Sequence, residues 1–317
     1  MNRREHSSEP SAAVRDDRII GKINGTDQGP IIIAFSGVHG NEKSGVIALE
    51  KVFEMVDPSN FRGTFIGIKA NLPALERNVR YVDEDLNRIW FPSIVDKIKR
   101  CPIDELESVE RMELKKTLQI LEQEIPTETD QTIVIIDLHS FSAEGCMFAI
   151  TPDKEDHTRL LRGLNIPMIF GIEEALRGTA LRYFEDQGYI SFALEGGNHE
   201  NEVTIYNNTA ALLMLLQFAG NITEENVAGL EKYSHYLDQH TQHVPDEAEF
   251  VYQHIIETGD EFEMREGFKN FQQVKEGEWL ANDKNGKIRA QCDGFIIMPL
   301  YQKQGNDGFF IVRELEN

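Results

Sequence analysis

Thr132-Ile133-Val134-Ile135-Ile136-Asp137-Leu138-His139-Ser140 is the stretch on which the fold turns. Its first seven residues are β-branched or apolar apart from Asp137, the composition of a strand buried on both faces. The period-2 geometry of a strand puts Asp137 and His139 on the same side, at the strand's C-terminal end. Three other runs share this texture: residues 30–36 (PIIIAFS), 64–70 (TFIGIKA) and 189–194 (YISFAL). Amphipathic stretches fill the intervals. Residues 44–55 carry Val46, Ile47, Leu49, Val52 and Phe53 at helical spacing, and residues 104–125 carry Leu106, Val109, Leu114, Leu118, Leu121 and Ile125. Asp104 with Glu107 resembles a capping box opening the second helix. Strands alternating with helices predict an α/β fold with a mixed, mostly parallel sheet flanked by helices.

After Gly220 the texture turns acidic and helical over residues 223–242, then β-like and punctuated by glycine from about residue 250 to 314. Residues 273–300 read as short strands joined by turns at 275–277, 283–286 and 293–294. That segment resembles the small barrel or sandwich of biotinyl and lipoyl carrier domains, yet Asp283 and Asn285 around Lys284 are not the pattern of a modified lysine. The expected organisation is a polar tail over residues 1–17, an α/β domain over 18–225 and a smaller C-terminal β-rich domain over 226–317.

The 317 residues include 32 Lys plus Arg against 54 Asp plus Glu, a formal charge of −22. Such a surface repels phosphate backbones and anionic membranes, which argues against nucleic-acid and membrane partners. The longest dense apolar run, residues 210–219, is half of the ~20 residues a membrane span requires and reads as a buried helix. The N-terminal residues hold Arg3, Arg4, Glu5 and Glu9 without an apolar signal core, so a cytoplasmic location is expected. Three scattered cysteines, Cys101, Cys146 and Cys292, suggest reduced thiols and no disulfide framework.

Polar clusters follow each of the four strands, where α/β sheets assemble their sites. After the first comes Gly37-Val38-His39-Gly40-Asn41-Glu42, whose His39 and Glu42 can both reach one metal ion, although a capping glutamate and a surface histidine would show the same spacing. His139 is a natural third ligand. Two histidines and a carboxylate match the arrangement of a catalytic zinc, which keeps a fourth position open. Asp137 either supports that centre or pairs with an arginine. The fourth strand runs into Glu195-Gly196-Gly197-Asn198-His199, where Glu195 suits a general base and equally suits a loop carboxylate; the part played by His199 stays open. In residues 71–88 three arginines alternate with carboxylates. Arg80 and Arg88, with Asn87, would suit an anionic substrate, or would simply form a surface salt-bridge network.

Read together, G-x-H-G-N-E, RYVDEDLNR, DLH and Glu195 resemble the aspartoacylase and succinylglutamate desuccinylase family, a branch of the zinc carboxypeptidase-like hydrolases, over most of residues 30–220. The resemblance implies one Zn2+ per chain on His39, Glu42 and His139, with Glu195 as the general base that activates water. It also implies that Arg80 polarises the scissile carbonyl and that Asn87 and Arg88 hold a substrate carboxylate. A C-terminal β domain narrows the entrance in that family, and the segment after residue 225 looks similar. Departures occur as well: Glu195 is followed by Gly-Gly-Asn-His, unlike aspartoacylase proper. Arg177 and Arg182 are the candidates for the arginine that binds an acidic side chain, and Tyr301 for the tyrosine contributed by the C-terminal domain.

The reading that follows is a zinc-dependent amidohydrolase cleaving a small anionic N-acyl amino acid. A zinc carboxypeptidase acting on peptides and a non-catalytic binding protein for an amino-acid derivative are the alternatives, and a homo-oligomer is left open. Residues 51–100 hold nine basic and seven acidic residues, so this segment with the arginine cluster is locally positive in an acidic chain and marks where a small acid would bind.

Overall fold

Residues 17–315 are described by a computed structural model; the tail expected over residues 1–17 lies outside them except for Asp17. The front of the chain runs β1 (Ile19–Asn24), β2 (Asp27–Ser36), α1 (Ser44–Met55), β3 (Arg62–Lys69), α2 (Leu72–Arg77), α3 (Pro92–Arg100), α4 (Val109–Glu124) and β4 (Ile133–Phe141). It continues through β5 (Phe148–Ile150), α5 (Glu155–Arg162), β6 (Met168–Phe170), α6 (Ile172–Ala175), α7 (Ala180–Glu185), β7 (Ile190–Asn198) and α8 (Glu202–Phe218). Next come α9 (Glu231–Thr241), β8 (Glu247–Ile255), β9 (Glu263–Met264), β10 (Gln272–Val274), β11 (Trp279–Asp283), β12 (Gly286–Arg289), β13 (Gly294–Ile297) and β14 (Asp307–Glu314).

The main sheet has the order β1-β3-β2-β4-β7-β5-β6-β8-β14-β13-β10. Its centre, β3-β2-β4-β7, is parallel, as expected of strands joined by helical crossovers. The two periods of the strands sort their side chains onto opposite layers. Ile32, Ala34, Val134, Ile136 and Leu138 pack with α1, α8 and α9, whereas Ile31, Ile33, Phe35, Ile133 and Ile135 pack with α3, α4 and α7. Asp137 and His139 continue the second series. They therefore emerge on the α3–α4–α7 face where that layer of helices ends.

The C-terminal segment forms the smaller, mostly antiparallel β unit, with a core of its own around Met264, Val274, Leu280, Ile296 and Phe309, and it is joined to the edge of the main sheet. β8 pairs with β6 in parallel, and β14, β13 and β10 follow antiparallel, so four C-terminal strands extend the main sheet. Only β12-β11-β9 make a second, antiparallel sheet. Lys284, in the β11–β12 turn, is ion-paired with Asp260 at 2.9 Å. The second long helix also begins later than the capping-box reading placed it. Residues Ile103–Glu105 form a 3-10 turn, and Ser108 caps α4 by accepting the Arg111 N–H. The apolar run 210–219 lies within and just beyond α8, deeply buried except at its C-terminal end. Among the described residues no helix is long and apolar enough to cross a membrane.

Candidate active site

The loop after β2 is shaped by its glycines. Gly37 adopts φ +64°, and a Cβ on Gly40 would fall 1.9 Å from the Ala74 carbonyl carbon, so α2 can lie against this loop only where no side chain intervenes. The loop then turns into α1, presenting His39 and Glu42. β4 and β7 run parallel with His139 opposite Glu195 and Asp137 opposite Ala193, which brings the two strand-borne groups to the same face.

His39, Glu42 and His139 meet there. Their ligand atoms lie within 4.8 Å of one another, and all three residues are buried. Each histidine turns Nδ1 toward Glu42, at 2.9 Å for His39 and 3.0 Å for His139. Each gives Nε2 to a second carboxylate: His39 to Asp85 at 3.1 Å and His139 to Asp137 at 2.8 Å. A carboxylate behind a histidine fixes the ring and raises its basicity as a metal ligand. Burial by itself would raise the Glu42 carboxyl, but the neighbouring charge of His39 and hydrogen bonds from His139 and His39 hold it well below its usual range. For His139, burial works downward and is outweighed by Asp137 and Glu42, which hold it well above its usual value. Four carboxylates, Glu42, Asp85, Asp137 and Glu195, thus converge on two histidines and Arg80. His39, Glu42 and His139 could together hold a metal ion, and two imidazoles plus a carboxylate are donors suited to zinc.

Glu195 is in β7 and not in a loop. It is buried, its Oε2 has no hydrogen-bond partner, and burial pushes its carboxyl up to about 7; the like charges of Glu42 and Asp137 add to this, while His139 and His39 oppose it. Arg80 donates Nε and Nη2 to Asp85 Oδ2 at 3.3 and 3.1 Å and places Nη1 3.4 Å from Glu42 Oε1. Asp85 is thereby shared between the arginine and His39, and its carboxyl, which burial would raise, is held well below its usual range by both.

Asn87 and Arg88 also line the cavity, but each has protein partners. The Asn87 amide donates to Asp137 Oδ2 at 3.2 Å, lies 3.1 Å from His139 Nε2, and accepts the Ala180 N–H at the start of α7. Arg88 donates to Asn87 O and, at 2.6 Å, to Asp307 Oδ2 from the start of β14. The structure does not bring Arg177, Arg182 or Tyr301 to the cavity wall. Arg177 is exposed; Arg182 pairs with Glu185 and Asp186, and both face a neighbouring outer groove. Tyr301 is turned away because its hydroxyl donates to Arg265 O and Phe268 O and accepts the Phe268 N–H. His199 sits behind the cavity, with Nδ1 2.7 Å from Ser140 Oγ and Nε2 3.2 Å from Gln302 Oε1.

The resemblance implies that the C-terminal segment narrows the entrance, but it points to Tyr301 and not to the residues that roof the cavity. The segment between β13 and β14 brings Met298, Leu300, Gln302, Gly305 and Asp307 to a cavity of about 100 Å³ that also meets His39, Glu42, Arg80, His139 and Glu195. Gln304 accepts the Arg80 N–H at 3.0 Å and Gln302 accepts from Asn41 at 2.8 Å, so the roof is tied to both loops that carry the centre. Asp85 was legible in principle, as the residue whose carboxylate accepts the Asn87 N–H at the head of a 3-10 turn. Asp307 lies 219 residues from Arg88 and has no local signal.

Comparison with known proteins agrees with this geometry. The family described as the succinylglutamate desuccinylase/aspartoacylase catalytic domain matches residues 28–219. An N-acyl-aromatic-L-amino acid amidohydrolase (carboxylate-forming) of Xenopus laevis is 34% identical over 112 residues, which is 34% of this chain and 33% of that protein, so the match spans about a third of that relative. Among solved structures, a succinylglutamate desuccinylase/aspartoacylase from Rhodobacter sphaeroides superposes with a TM-score of 0.65 at 15% identity, covering 93% of this chain and 88% of that one. The product-bound ectoine utilization protein EutE (DoeB) from Ruegeria pomeroyi gives 0.64 at 19% identity, over 91% and 87%. At these identities the structural likeness speaks for the fold.

Proposed function

The chain belongs to the succinylglutamate desuccinylase/aspartoacylase family, and from that premise we propose that it is a zinc-dependent amidohydrolase releasing a carboxylate and a free amino acid from a small N-acyl amino acid. The observation that carries the reading is the buried His39–Glu42–His139 triad with Glu195 beside it across one strand pair. His39, Glu42 and His139 would hold the metal, one per chain. When bound, zinc polarises a carbonyl and acidifies water.

The remaining chemistry is assigned to this chain's own side chains. Glu195, poised near neutrality, takes the proton of the attacking water and passes it to the leaving amine. Arg80, braced by Asp85, directs its guanidinium toward the oxygen on which negative charge develops. Asp85 and Asp137 hold the two imidazoles in the orientation that leaves Nδ1 to the metal. Asn87 and Arg88 are assigned to a substrate carboxylate, which would exchange with Asp307 for the Arg88 fork. Residues 298–307 lie over the site and narrow its mouth, which favours a small acyl amino acid as substrate. We also place the protein in the cytoplasm, which three free cysteines support.

The test is direct. The zinc-loaded protein is incubated with N-acetyl, N-succinyl and N-formyl amino acids and with dipeptides, and the released acid is measured. Turnover of at least one acyl amino acid, stoichiometric metal, and loss of activity in Glu195→Gln with zinc retained are expected. Activity on dipeptides alone, or a fully active Glu195→Gln, refutes the proposal.

A further inference from the structure

Behind Glu195 the cavity changes character. Ala193 lies two residues back on the same face of β7, about 7 Å away by strand rise, and pairs with Ile150 of β5. With Phe141, Leu181 and Phe310 these residues form an apolar recess of the same cavity. One charged group interrupts it. Glu173, on α6, is 6% exposed, lines the cavity, and has an Oε2 that meets no hydrogen-bond partner. Among the described residues no Lys, Arg or His forms an ion pair with it within 4.0 Å; Arg80 is held by Asp85, and Arg88 is the one assigned to the α-carboxylate.

A buried carboxyl oxygen without a donor is costly unless something supplies one. We propose that this recess receives the substrate's side chain, and that Glu173 selects an apolar stem ending in an ammonium over one ending in a carboxylate. This rests on the amidohydrolase reading and adds the substrate class. A distal carboxylate would face Glu173 with no cation in the recess to receive it, and a purely aliphatic end would leave Oε2 unsatisfied. An ammonium satisfies it, while the methylene stem packs against Ile150, Leu181 and Phe310. In agreement, burial pushes the Glu173 carboxyl up to about 7 against the pull of the Gly171 and Glu173 backbone N–H groups, with Glu185 and Glu174 adding to the rise. A docking cation would draw that proton off.

The experiment uses the zinc-loaded full chain and Nα-acetyl derivatives of ornithine, lysine, norleucine and glutamate, with released acetate as the readout. The ammonium-bearing derivatives are expected to exceed norleucine by about tenfold or more in kcat/KM, and glutamate by more again, since a hydrogen bond to a charged group is at stake. In Glu173→Gln the ratio of lysine to norleucine falls by about tenfold, mainly through KM for the ammonium substrates. A wild-type preference for the glutamate derivative, or an unchanged ratio in Glu173→Gln, overturns the proposal; the wild-type ranking is decisive without any variant. If no derivative is hydrolysed, the amidohydrolase reading fails separately, and calorimetry with the same compounds still decides. Tighter binding of the ammonium derivatives, lost in Glu173→Gln, supports the recess, and equal or absent binding in both proteins overturns it.

Discussion

Glu110 is the group whose loss should be felt furthest from where it sits. It is fully buried in the first turn of α4, and its carboxylate accepts four N–H donors. Oε1 takes Val82 N–H at 2.7 Å and Asn71 Nδ2 at 3.2 Å; Oε2 takes Asp83 N–H at 3.0 Å and Glu84 N–H at 3.2 Å. In return Asp83 accepts the Val109 N–H at 2.8 Å, so loop and helix cap each other. This loop carries Arg80 on one side and Asp85 on the other. In Glu110→Gln one oxygen can keep two donors, but the new NH2 faces the other two and accepts nothing. Two charge-assisted hydrogen bonds at the low end of ~1.5–3 kcal/mol each give a loss of about 3 kcal/mol, a large share of the ~5–15 kcal/mol of a typical domain. Urea unfolding of the zinc-free protein, read as a shift in midpoint at constant m, measures it. A second readout is kcat/KM, which should fall because Arg80 and Asp85 lose their anchor. A Glu110→Gln protein within about 1 kcal/mol of the parent would show that the four donors find other partners, and the reasoning would be wrong.

Other outcomes can be stated briefly. Arg80→Ala is expected to slow turnover by about 100- to 1,000-fold, the usual consequence of removing an oxyanion donor, with zinc stoichiometry by elemental analysis unchanged. Asp137→Ala frees the His139 ring, and competition against a chelator should then show metal affinity weakened by about 10- to 100-fold. His157 provides a pH test remote from the centre. Burial, helped by Lys154 and opposed by Glu185 and Asp156, holds its imidazole below the usual value, and neutral Nε2 lies 3.1 Å from the Ser191 N–H it accepts. With a folded value below the unfolded ~6.5, its contribution is complete above that pH and is lost as pH falls below it. Unfolding midpoints at pH 7.5 and 5.5 should therefore converge in His157→Gln relative to wild type; equal pH slopes would sink the assignment.

The central strands were legible because they are buried on both faces and so read as unbroken apolar runs. The metal triad was legible because each ligand follows such a run. β5 and β6 were not, since three residues are too few to show a period. The start of α4 was misread because Asp104 and Glu107 imitate a cap that Ser108 supplies one turn later. Arg177 and Arg182 look like substrate ligands in sequence, but the turn between α6 and α7 places them on the outer groove. Glu173 went unnoticed because a glutamate in the first turn of a helix is ordinary, and only the packing of Phe141, Ile150 and Leu181 around the cavity makes it conspicuous.

β14 has a bearing on what holds the cover of the site in place. It is the latest strand in chain order among those described, yet it lies between β8 and β13 and hydrogen-bonds both. Without it, β13 and β10 would pair only with each other, and Asp307 would not reach Arg88. His39, Glu42, His139 and Glu195 all precede residue 200, whereas the segment that covers them is fixed by a strand more than a hundred residues further on. β14 is therefore the clasp of the molecule, the strand whose pairing ties the cover of the site to the sheet that carries its floor.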